Sequence, residues 1–383
     1  MAFLRNDAVN RVNLHYGVQA LAQSGGGVFF VVFLVRAGLS VPAALTTMAA
    51  ILTVRFTLRP AMLPLAVRWG LKPLLICGTI VMAAQYPLLA EVHGVGGALA
   101  ALCLAAALGE ILYWPTYNAY FAAIGDAEHR GHQIGAREAL VSVAGILAPL
   151  LGGWALATLG PRPMFAGVGL VQALAAVPLI GAPNVAIKRT APGAFRAARL
   201  GVILATTDGW FDACFILVWQ IALFVSLGEN FSAYGGAMAL AGLVGAVCGL
   251  LLGRHVDAGH GARAVVIACV VASAVALLRA ASFGSPWLAV FANALGGFVL
   301  SLMLPAFATA SYNLAKASPC PMRFLIATEA GWDVGCLTAC LVAAALSALG
   351  VSLSIAILLA LPALAVAALL LRRYYALSYA STP

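Results

Sequence analysis

The sequence predicts an all-α membrane protein with twelve transmembrane helices in two six-helix, pseudo-symmetric halves, and three observations lead to that prediction. Hydrophobic residues make up 63% of the 383 residues, and charged residues only 9%. No soluble domain of this length has that composition. The apolar runs are long and continuous, which excludes a β-barrel because barrel strands alternate apolar and polar residues. One polar linker divides the runs into two sets of six.

Each apolar run is long enough to cross a bilayer as a helix, at about 1.5 Å per residue. No small-residue cleavage site precedes the first run, so we expect a retained span and not a signal peptide. The runs, numbered in order as spans 1 to 12, are 14–36, 41–59, 72–91, 97–123, 133–158, 162–182, 200–226, 231–253, 262–282, 285–314, 323–348 and 351–372.

The longest polar connection is residues 183–199, with two prolines, one glycine and four basic residues. It predicts an N-terminal bundle at 1–182, a cytoplasmic linker at 183–199 and a C-terminal bundle at 200–383. If the spans alternate, only Arg36, Arg162 and Arg279 lie on the side away from the termini. The excess of Lys and Arg on the other side predicts that both termini are cytoplasmic.

The net charge of +9 is spread over many short loops. That distribution favours contact with anionic lipid headgroups and not with nucleic acid. The eight cysteines are scattered singly and predict neither a metal site nor a disulfide framework. We expect a monomer in a bacterial-type cytoplasmic (inner) membrane, with a small-molecule substrate, protons and membrane lipids as partners and with no cofactor.

The two halves read as repeats. At an offset of 189 residues, Gln19 and Gln23 fall on Asp208 and Asp212, and at an offset of 191, Glu138 falls on Glu329. Repeats with a midplane cavity between them are typical of secondary transporters. We therefore expect the two glutamines and the two aspartates to share one cavity.

The loop after span 2 reads LPLAVRWGLKP at 63–73. Over essentially its whole length the chain resembles the major facilitator superfamily, whose loop here has a pattern like G-x-L-a-D-R-x-G-R-K. Arg68, Gly70 and Lys72 match that pattern, whereas Leu63 and Val67 replace its glycine and acid. This departure keeps open a different class of function, a solute sensor or assembly partner that has the fold without the transport cycle.

Two further motifs carry the resemblance. The loop after span 8, GRHVDAGHGAR at 253–263, includes Asp257. Span 5 contains GILAPLLGG at 145–153, similar to the pattern of the antiporter-type branch, except that Ala148 replaces a glycine. The span 5 motif implies export, and its alternative interpretation is a close-packed helix bent at Pro149.

The resemblance implies that spans 1, 4, 7 and 10 line the cavity. Glu110, Asp208 and Asp212 lie deep in spans 4 and 7, where a carboxylate costs on the order of 3 kcal/mol. Chains rarely bear that cost without a water-filled cavity or a partner. We expect these three acids to couple transport to protons, and Asp208 and Asp212 could also bind the solute. The alternative is a purely structural role, as a hydrogen bond for Glu110 and as a pair satisfied by neighbouring helices for Asp208 and Asp212.

Polar and aromatic side chains in the cavity-lining spans are the candidates for substrate binding. Amides suit the hydroxyl or carbonyl groups of a solute, and Trp and Tyr faces also attract cations. Ordinary helix packing is the alternative for each. The candidates are Gln19, Gln23, Tyr113, Trp114, Tyr117, Asn118, Trp210 and Asn293.

Charges near the cytoplasmic ends of spans 2, 5, 8 and 11 are candidates for a gate, because the resemblance implies that span 2 packs on span 11 and span 8 on span 5. We expect Arg55 or Arg59 to pair with Glu329 or Asp333. We expect Arg254 to pair with Glu138, which its helical neighbour Arg137 should leave free. Arg68 and Asp257 complete this set, and snorkelling of the side chains to lipid headgroups is the alternative.

No P-loop, G-x-S-x-G motif or metal-spaced histidine pair is present, so we expect no enzyme. The sequence predicts a secondary active transporter that works by alternating access and exports a small amphipathic compound in a proton-coupled cycle. Proton-coupled uptake of a small polar solute, such as a sugar or organic acid, is the alternative.

Overall fold

The computed structural model describes residues 6–125, 130–256 and 261–380. Within these ranges twelve helical spans are long and apolar enough to cross a membrane, as predicted, and no strand is present. The first and last spans begin and end on one side, here called the terminal side, and the other is called the opposite side. The spans are Asp7–Arg36, Val41–Trp69, Leu71–Ala90, Gly97–Ile124, Arg137–Thr158, Pro161–Ile180, Arg199–Ser226, Phe231–Leu251, Arg263–Ser282, Pro286–Met303, Pro321–Ala348 and Leu353–Ala376.

Spans 1, 2, 6, 7 and 12 each contain a break in their α-helical hydrogen bonding. Span 1 tightens to a 3₁₀ turn at Gly27–Phe29, and span 7 widens to a π segment at Ala213–Val218. Span 2 continues past its predicted end at residue 59, through the turn Arg59–Ala61 to Trp69. Pro60 does not stop it, because a proline in the first turn of a new helical segment leaves no N–H unsatisfied.

The two halves pack most extensively through span 5 on span 8 and through span 2 on span 11. Small residues bring spans 5 and 8 together: a Cβ on Gly235 would collide with the carbonyl oxygen of Pro149, and one on Gly242 with that of Gly145. The glycine- and proline-rich stretch of span 5 is therefore the surface where the halves approach most closely.

Aromatic side chains from both halves meet on the opposite side. Phe29 of span 1 packs edge-on against Tyr234 of span 8 with ring centroids 5.5 Å apart, and Phe33 stacks near Phe231 at 6.3 Å. The Tyr234 hydroxyl donates to the carbonyl of Val28 at 3.0 Å. These contacts close the opposite side between spans 1 and 8.

The linker contacts both halves on the terminal side. Asn184 accepts a hydrogen bond from the Lys72 backbone at 3.1 Å and donates to the Trp69 carbonyl at 2.9 Å, beside Gly70, whose φ of +79° suits glycine. Further along, Arg323 of span 11 donates to the carbonyl of Arg189 at 2.6 Å. The linker thus joins the turn between spans 2 and 3 to the start of span 11.

Helix packing corrects the offset between the repeats. Gly17 lies against Leu140 in the N-terminal half, and Gly201 lies against Phe324 in the C-terminal half. Gly201 follows Gly17 by 184 residues, and Phe324 follows Leu140 by the same number. Gly25 on Ala148 and Gly209 on Trp332 show the same difference of 184. The predicted offsets of 189 and 191 are wrong for these spans, because they matched polar residues by chemistry and not by the glycines that fix helix contact.

Candidate functional site

Charged residues from spans 2, 4 and 11 meet at the middle of the bundle. Arg55 is the 15th of 29 residues in its span, Glu110 the 14th of 28 and Asp333 the 13th of 28. We predicted that Arg55 and Asp333 lie near the cytoplasmic ends of their spans. Both residues instead lie near the middle of their helices. Span 2 continues past its predicted end at residue 59 to Trp69, whereas span 11 begins only two residues before its predicted start at 323, so Asp333 already lay well inside the predicted run.

Arg55 connects three acids. Its Nη1 donates to Glu110, and its Nη2 lies 2.8 Å from Oδ1 of Asp333 and 3.7 Å from Oε2 of Glu329. The contact with Asp333 has the distance of an ion pair without the angles of a hydrogen bond. The Arg55 side chain is only 5% exposed, so these charges interact in a poorly screened environment.

Arg59, one turn further along span 2, binds the same aspartate. Its Nε donates to Oδ2 of Asp333 at 2.9 Å, its Nη2 donates to the same oxygen, and its Nη1 lies 4.0 Å from Glu329. Asp333 is fully buried. Because spans 2 and 11 belong to different halves, this pairing joins the halves near the middle of the bundle.

Asp208 and Asp212 of span 7 turn toward span 11. Oδ2 of Asp212 accepts a hydrogen bond from Trp332 Nε1 at 3.0 Å, and Asp208 interacts electrostatically with Asp212 and Glu329. The face of the Trp332 ring carries the Arg55 guanidinium, with Cζ 5.4 Å from the ring centroid. The aspartates are therefore neighbours of the Arg55 network.

Counting charges shows an imbalance in this cluster, which we call the central charge cluster. It contains two arginines and five carboxyl groups, a formal charge of minus three if all are ionised. Proton binding or a cationic ligand would offset that excess. The members are Arg55, Arg59, Glu110, Asp208, Asp212, Glu329 and Asp333.

The prediction that Arg137 leaves Glu138 without an ion pair is wrong. Arg137 folds back along its own helix and binds Oε1 of Glu138 through Nε at 3.0 Å and Nη2 at 2.6 Å. The long arginine side chain spans the angle between adjacent helical positions that a short one cannot. Asp257 and the side chain of Arg254, the predicted partner of Glu138, lie outside the part of the chain that the structure describes. Arg68 is exposed at the end of span 2.

Arg137 also belongs to an aromatic group on the terminal side of the cluster. Its guanidinium lies 5.0 Å from the ring centroid of Tyr16 and 5.2 Å from that of Phe121, and it donates to the Tyr117 hydroxyl at 3.3 Å. Tyr113 and Tyr117 are stacked and buried. These two predicted substrate residues face span 1, whereas Trp114 and Asn118 are partly exposed on the Glu110 side of span 4.

Gln19 lies in a different place from the predicted cavity. His15, one turn before it, reaches the Ala175 carbonyl at 2.7 Å and the Tyr113 hydroxyl at 3.0 Å, and the Ala22 carbonyl accepts from Tyr86. Residues at this spacing share a face, so Gln19, 1% exposed, points into the N-terminal half. The structure brings it near neither aspartate, because the offset of 189 misaligned the repeats. Gln23 is partly exposed and lies against Gly27.

Trp210 and Asn293 make structural hydrogen bonds. Trp210 Nε1 donates to the Leu359 carbonyl at 2.9 Å, which turns this indole toward span 12. Asn293 accepts from Trp219 Nε1 at 3.0 Å and donates to the Ala237 carbonyl at 2.8 Å. Both contacts lie away from the central charge cluster, so packing explains these two predicted substrate residues.

Two residues of the structure were missed by the sequence analysis. Trp332 stands between Glu329 and Asp333 in sequence, which was a usable signal. Arg279, near the end of span 9, is 4% exposed and lies over the rings of Phe215 and Trp219. Its Nη1 donates to the Phe215 carbonyl, within the π segment of span 7. A side-chain hydrogen bond to a carbonyl of a π segment cannot be foreseen from sequence.

Ion pairs also stand on the opposite side. Glu91 accepts from Arg162 Nε at 2.8 Å and Nη2 at 2.9 Å, and this hydrogen bonding lowers the pKa of Glu91 below its usual value. That pair lies within the N-terminal half. Arg36 and Glu229, 3.6 Å apart, join the halves. Among the residues that the structure describes, no group of three or more His, Cys, Asp or Glu could hold a metal ion.

Comparison with solved structures shows the same fold. One is a POT family transporter in complex with a thioalcohol-conjugated peptide, with a TM-score of 0.72, 10% identity, and coverage of 98% of this chain and 96% of that one. Another is a POT family transporter in complex with 5-aminolevulinic acid, with a TM-score of 0.69, 12% identity and the same coverage. At these identities the likeness concerns the fold alone.

Comparison with curated proteins gave no match. The family model described as Major Facilitator Superfamily matches residues 16–219, more than half of the chain. That match agrees with the twelve spans, with the pairing of span 2 on span 11 and span 5 on span 8, and with the fold of the two transporters. The chain belongs to the major facilitator superfamily.

Proposed function

We propose that this protein is a secondary active transporter that exports a small amphipathic organic compound across the cytoplasmic membrane in exchange for protons. The excess of carboxyl groups in the central charge cluster carries the proposal. The cluster has five carboxyl groups and two arginines, which leaves three negative charges without a cation if all are ionised. Unpaired charges within a membrane are costly. Proton binding removes part of that cost, and a cationic group on the solute would remove it equally well.

Because a proton and a cationic solute can each neutralise the cluster, we expect the protein to exchange one for the other. A proton and a cationic solute that offset the same negative charge compete, and competition for one site converts a proton gradient into solute movement. Asp208, Asp212 and Glu329 are the acids without a close arginine contact, since Glu329 lies no nearer than 3.7 Å to either guanidinium. We assign proton exchange to these three acids and to the partly exposed Glu110.

Alternating access needs two halves that rock about a persistent contact. The buried pairs of Arg55 and Arg59 with Asp333 are placed for that contact, since they join the halves at mid-depth. The aromatic contacts between spans 1 and 8 are placed to open when the opposite side is accessible. We therefore assign the charges of spans 2 and 11 to the pivot of this rocking, in place of the latch expected at the cytoplasmic end.

Uptake of a small polar solute is the second candidate. The structurally similar POT transporters are complexed with a peptide conjugate and with 5-aminolevulinic acid. An amino acid derivative of that kind has one cationic and one anionic group. Arg137 in the N-terminal half and the acids of span 7 in the C-terminal half offer complementary charges. Asn118 and Trp114 remain candidates to contact either solute.

The orientation with cytoplasmic termini is part of this proposal and rests on the distribution of Lys and Arg. The monomeric state and the inner-membrane location are further parts of the proposal. The remaining class is a sensor that binds a solute and exchanges nothing. Counterflow in liposomes separates the two classes, because only a carrier moves labelled solute against an unlabelled pool.

The test uses the purified full chain. A library of cationic, zwitterionic and neutral amphiphiles is screened by thermal shift, since a ligand bound at 100 times its Kd stabilises by about 2.7 kcal/mol. Hits are then assayed in proteoliposomes with and without an imposed pH gradient. We expect a cationic hit whose accumulation depends on the gradient. Accumulation that does not depend on the gradient, or binding without flux, would overturn proton-coupled export.

A further inference from the structure

We propose that Trp332 is a positioning residue that links the occupancy of Asp212 to the Arg55 ion pairs between the halves. This inference deepens the proposed function, because it assumes that Asp212 exchanges protons. In this proposal, the Trp332 side chain of span 11 transmits proton or solute binding at Asp212, in the C-terminal half, to span 2 of the N-terminal half.

The edge and the face of the indole make different contacts. At the edge, Nε1 donates to Oδ2 of Asp212 at 3.0 Å. At the face, the guanidinium of Arg55 lies with Cζ 5.4 Å from the ring centroid, a distance at which the ring attracts a cation. The adjacent Asp333 holds the same guanidinium at 2.8 Å. Trp332 therefore touches one acid of span 7 and the cation that joins the halves.

Backbone packing fixes the position of Trp332. A Cβ on Gly331 would collide with the carbonyl oxygen of Val202, and one on Gly335 with the carbonyl oxygen of Thr206. Spans 7 and 11 are thus in backbone contact on either side of the tryptophan. Because the main chain cannot shift without separating these spans, a change at Asp212 is met by the indole ring itself.

Several charged and titratable groups act on this pair. Asp208 faces Asp212 from the same helix, Cys336 faces it from span 11, and Glu329 acts on Asp208. Arg55 approaches from span 2 and itself holds Glu110 of span 4. A hydrogen bond to an ionised carboxylate is about twice as strong as one to a neutral group. Protonation of Asp212, or its pairing with a cationic solute, therefore weakens the hold on Nε1.

The consequence reaches the other half. An indole released from Asp212 is free to turn, and turning removes its face from Arg55. Arg55 then relies on Glu110 and Asp333 alone. In this way proton binding in span 7 changes the contact between spans 2 and 11, which a proton-driven transporter needs in order to couple occupancy to rocking.

Substitutions separate the two contacts. Trp332→Phe keeps an aromatic face for Arg55 and removes the N–H, whereas Trp332→Leu removes both. Trp210→Phe is the matched control, since Trp210 donates a hydrogen bond of similar length, 2.9 Å, to the backbone of Leu359 away from the cluster. Asp212→Asn is the background for a double variant, because an asparagine cannot change its charge with pH and the proposed link from Asp212 to Arg55 is therefore absent.

Two measurements are made on each variant: thermal stability of the purified protein from pH 4 to 9, and flux in proteoliposomes over the same range. Loss of a donor to a carboxylate makes its protonation easier, so we expect Trp332→Phe to move the pH midpoint of both curves upward by about one unit, the size expected for one charge-assisted hydrogen bond. Trp210→Phe should leave the midpoints in place. In the Asp212→Asn background, Trp332→Phe should cause no further shift.

The outcomes distinguish this inference from the proposed function. If wild-type flux ignores the pH gradient while the stability curve of Trp332→Phe still shifts, proton-coupled export fails and the link between Trp332 and Asp212 stands. If wild-type flux follows the gradient and Trp332→Phe matches Trp210→Phe in both measurements, the inference is overturned. A shift that persists in the Asp212→Asn background also overturns it, because the effect would not pass through Asp212.

Discussion

Arg55 of span 2 and Asp333 of span 11 face each other across the two halves, with Nη2 and Oδ1 2.8 Å apart at the middle of both helices. Neither side chain is more than 5% exposed, and Asp333 also binds Arg59. An ion pair this deep is not a surface latch that water and salt can screen. Its loss strands charges in a medium that solvates them poorly.

The first prediction concerns Asp333→Asn. Removing one partner of a buried ion pair typically costs about 3–5 kcal/mol, and here it leaves both Arg55 and Arg59 short of a partner. We expect a large drop in the melting temperature of the purified protein, measured by intrinsic fluorescence in detergent. Glu329→Gln, one turn away on the same helix, is the control and should cost much less, since its closest arginine contact is 3.7 Å. Equal melting temperatures for the two variants would contradict the prediction.

The second prediction concerns Glu110→Gln. We expect this variant to lose flux driven by a pH gradient and to retain exchange between labelled and unlabelled solute, because an amide cannot carry the proton. Arg55 keeps Asp333 as a partner, so the halves should remain joined and the variant should fold. Flux is measured in proteoliposomes at matched protein content. Gradient-driven flux equal to wild type would remove Glu110 from the proton route.

The fold followed from the sequence because long apolar runs and the one-sided distribution of Lys and Arg are properties of the chain itself. The depth of the charged residues within their spans could not be predicted from the sequence. Arg55 and Asp333 were expected near the ends of their spans, and the continuation of span 2 through Pro60 to Trp69 places Arg55 at the middle. The breaks at Gly27–Phe29 and Ala213–Val218 have no sequence signal of comparable strength.

The candidate site followed in part. The charges of spans 2, 4, 7 and 11 were foreseen because ionisable residues within apolar runs are rare and stand out. Side-chain direction was not foreseen. Gln19 points into its own half, and Arg137 turns back onto Glu138, since a helical position fixes the Cβ direction and a long side chain can still reach several neighbours. The partners of a charge are settled by tertiary packing.

The third prediction concerns the pair of Arg36 and Glu229 on the opposite side. Both side chains are more than two-fifths exposed, so the pair contributes at most about 1 kcal/mol. We expect Glu229→Gln to raise access from that side no more than about fivefold. Access is measured as labelling of a single cysteine at position 23 by an impermeant thiol reagent, in a chain freed of its eight native cysteines.

Glu91→Gln is the matched control for that measurement, because Glu91 and Arg162 form an exposed pair within one half. The pKa of Glu91 is lowered by Arg162, so this pair is formed above the usual range of a carboxyl group and is lost as the pH falls through the lowered value. It should not change labelling at any pH at which wild type is folded. A similar rise in both variants would show that the effect is local fraying and not separation of the halves.

The last prediction concerns the packing of span 8 on span 5, where two adjacent glycines have opposite surroundings. A Cβ on Gly235 would collide with the carbonyl oxygen of Pro149 and would lie 3.2 Å from Cα of Gly153, whereas a Cβ on Gly236 meets nothing within 4 Å. Replacing a helical glycine by alanine otherwise stabilises a helix by up to about 1 kcal/mol. We expect Gly235→Ala to lower the melting temperature and slow transport, because neither backbone can yield without moving a half, and Gly236→Ala to leave both unchanged or slightly improved. If Gly235→Ala melted and transported like Gly236→Ala, the close contact between spans 5 and 8 would not be part of the functional state.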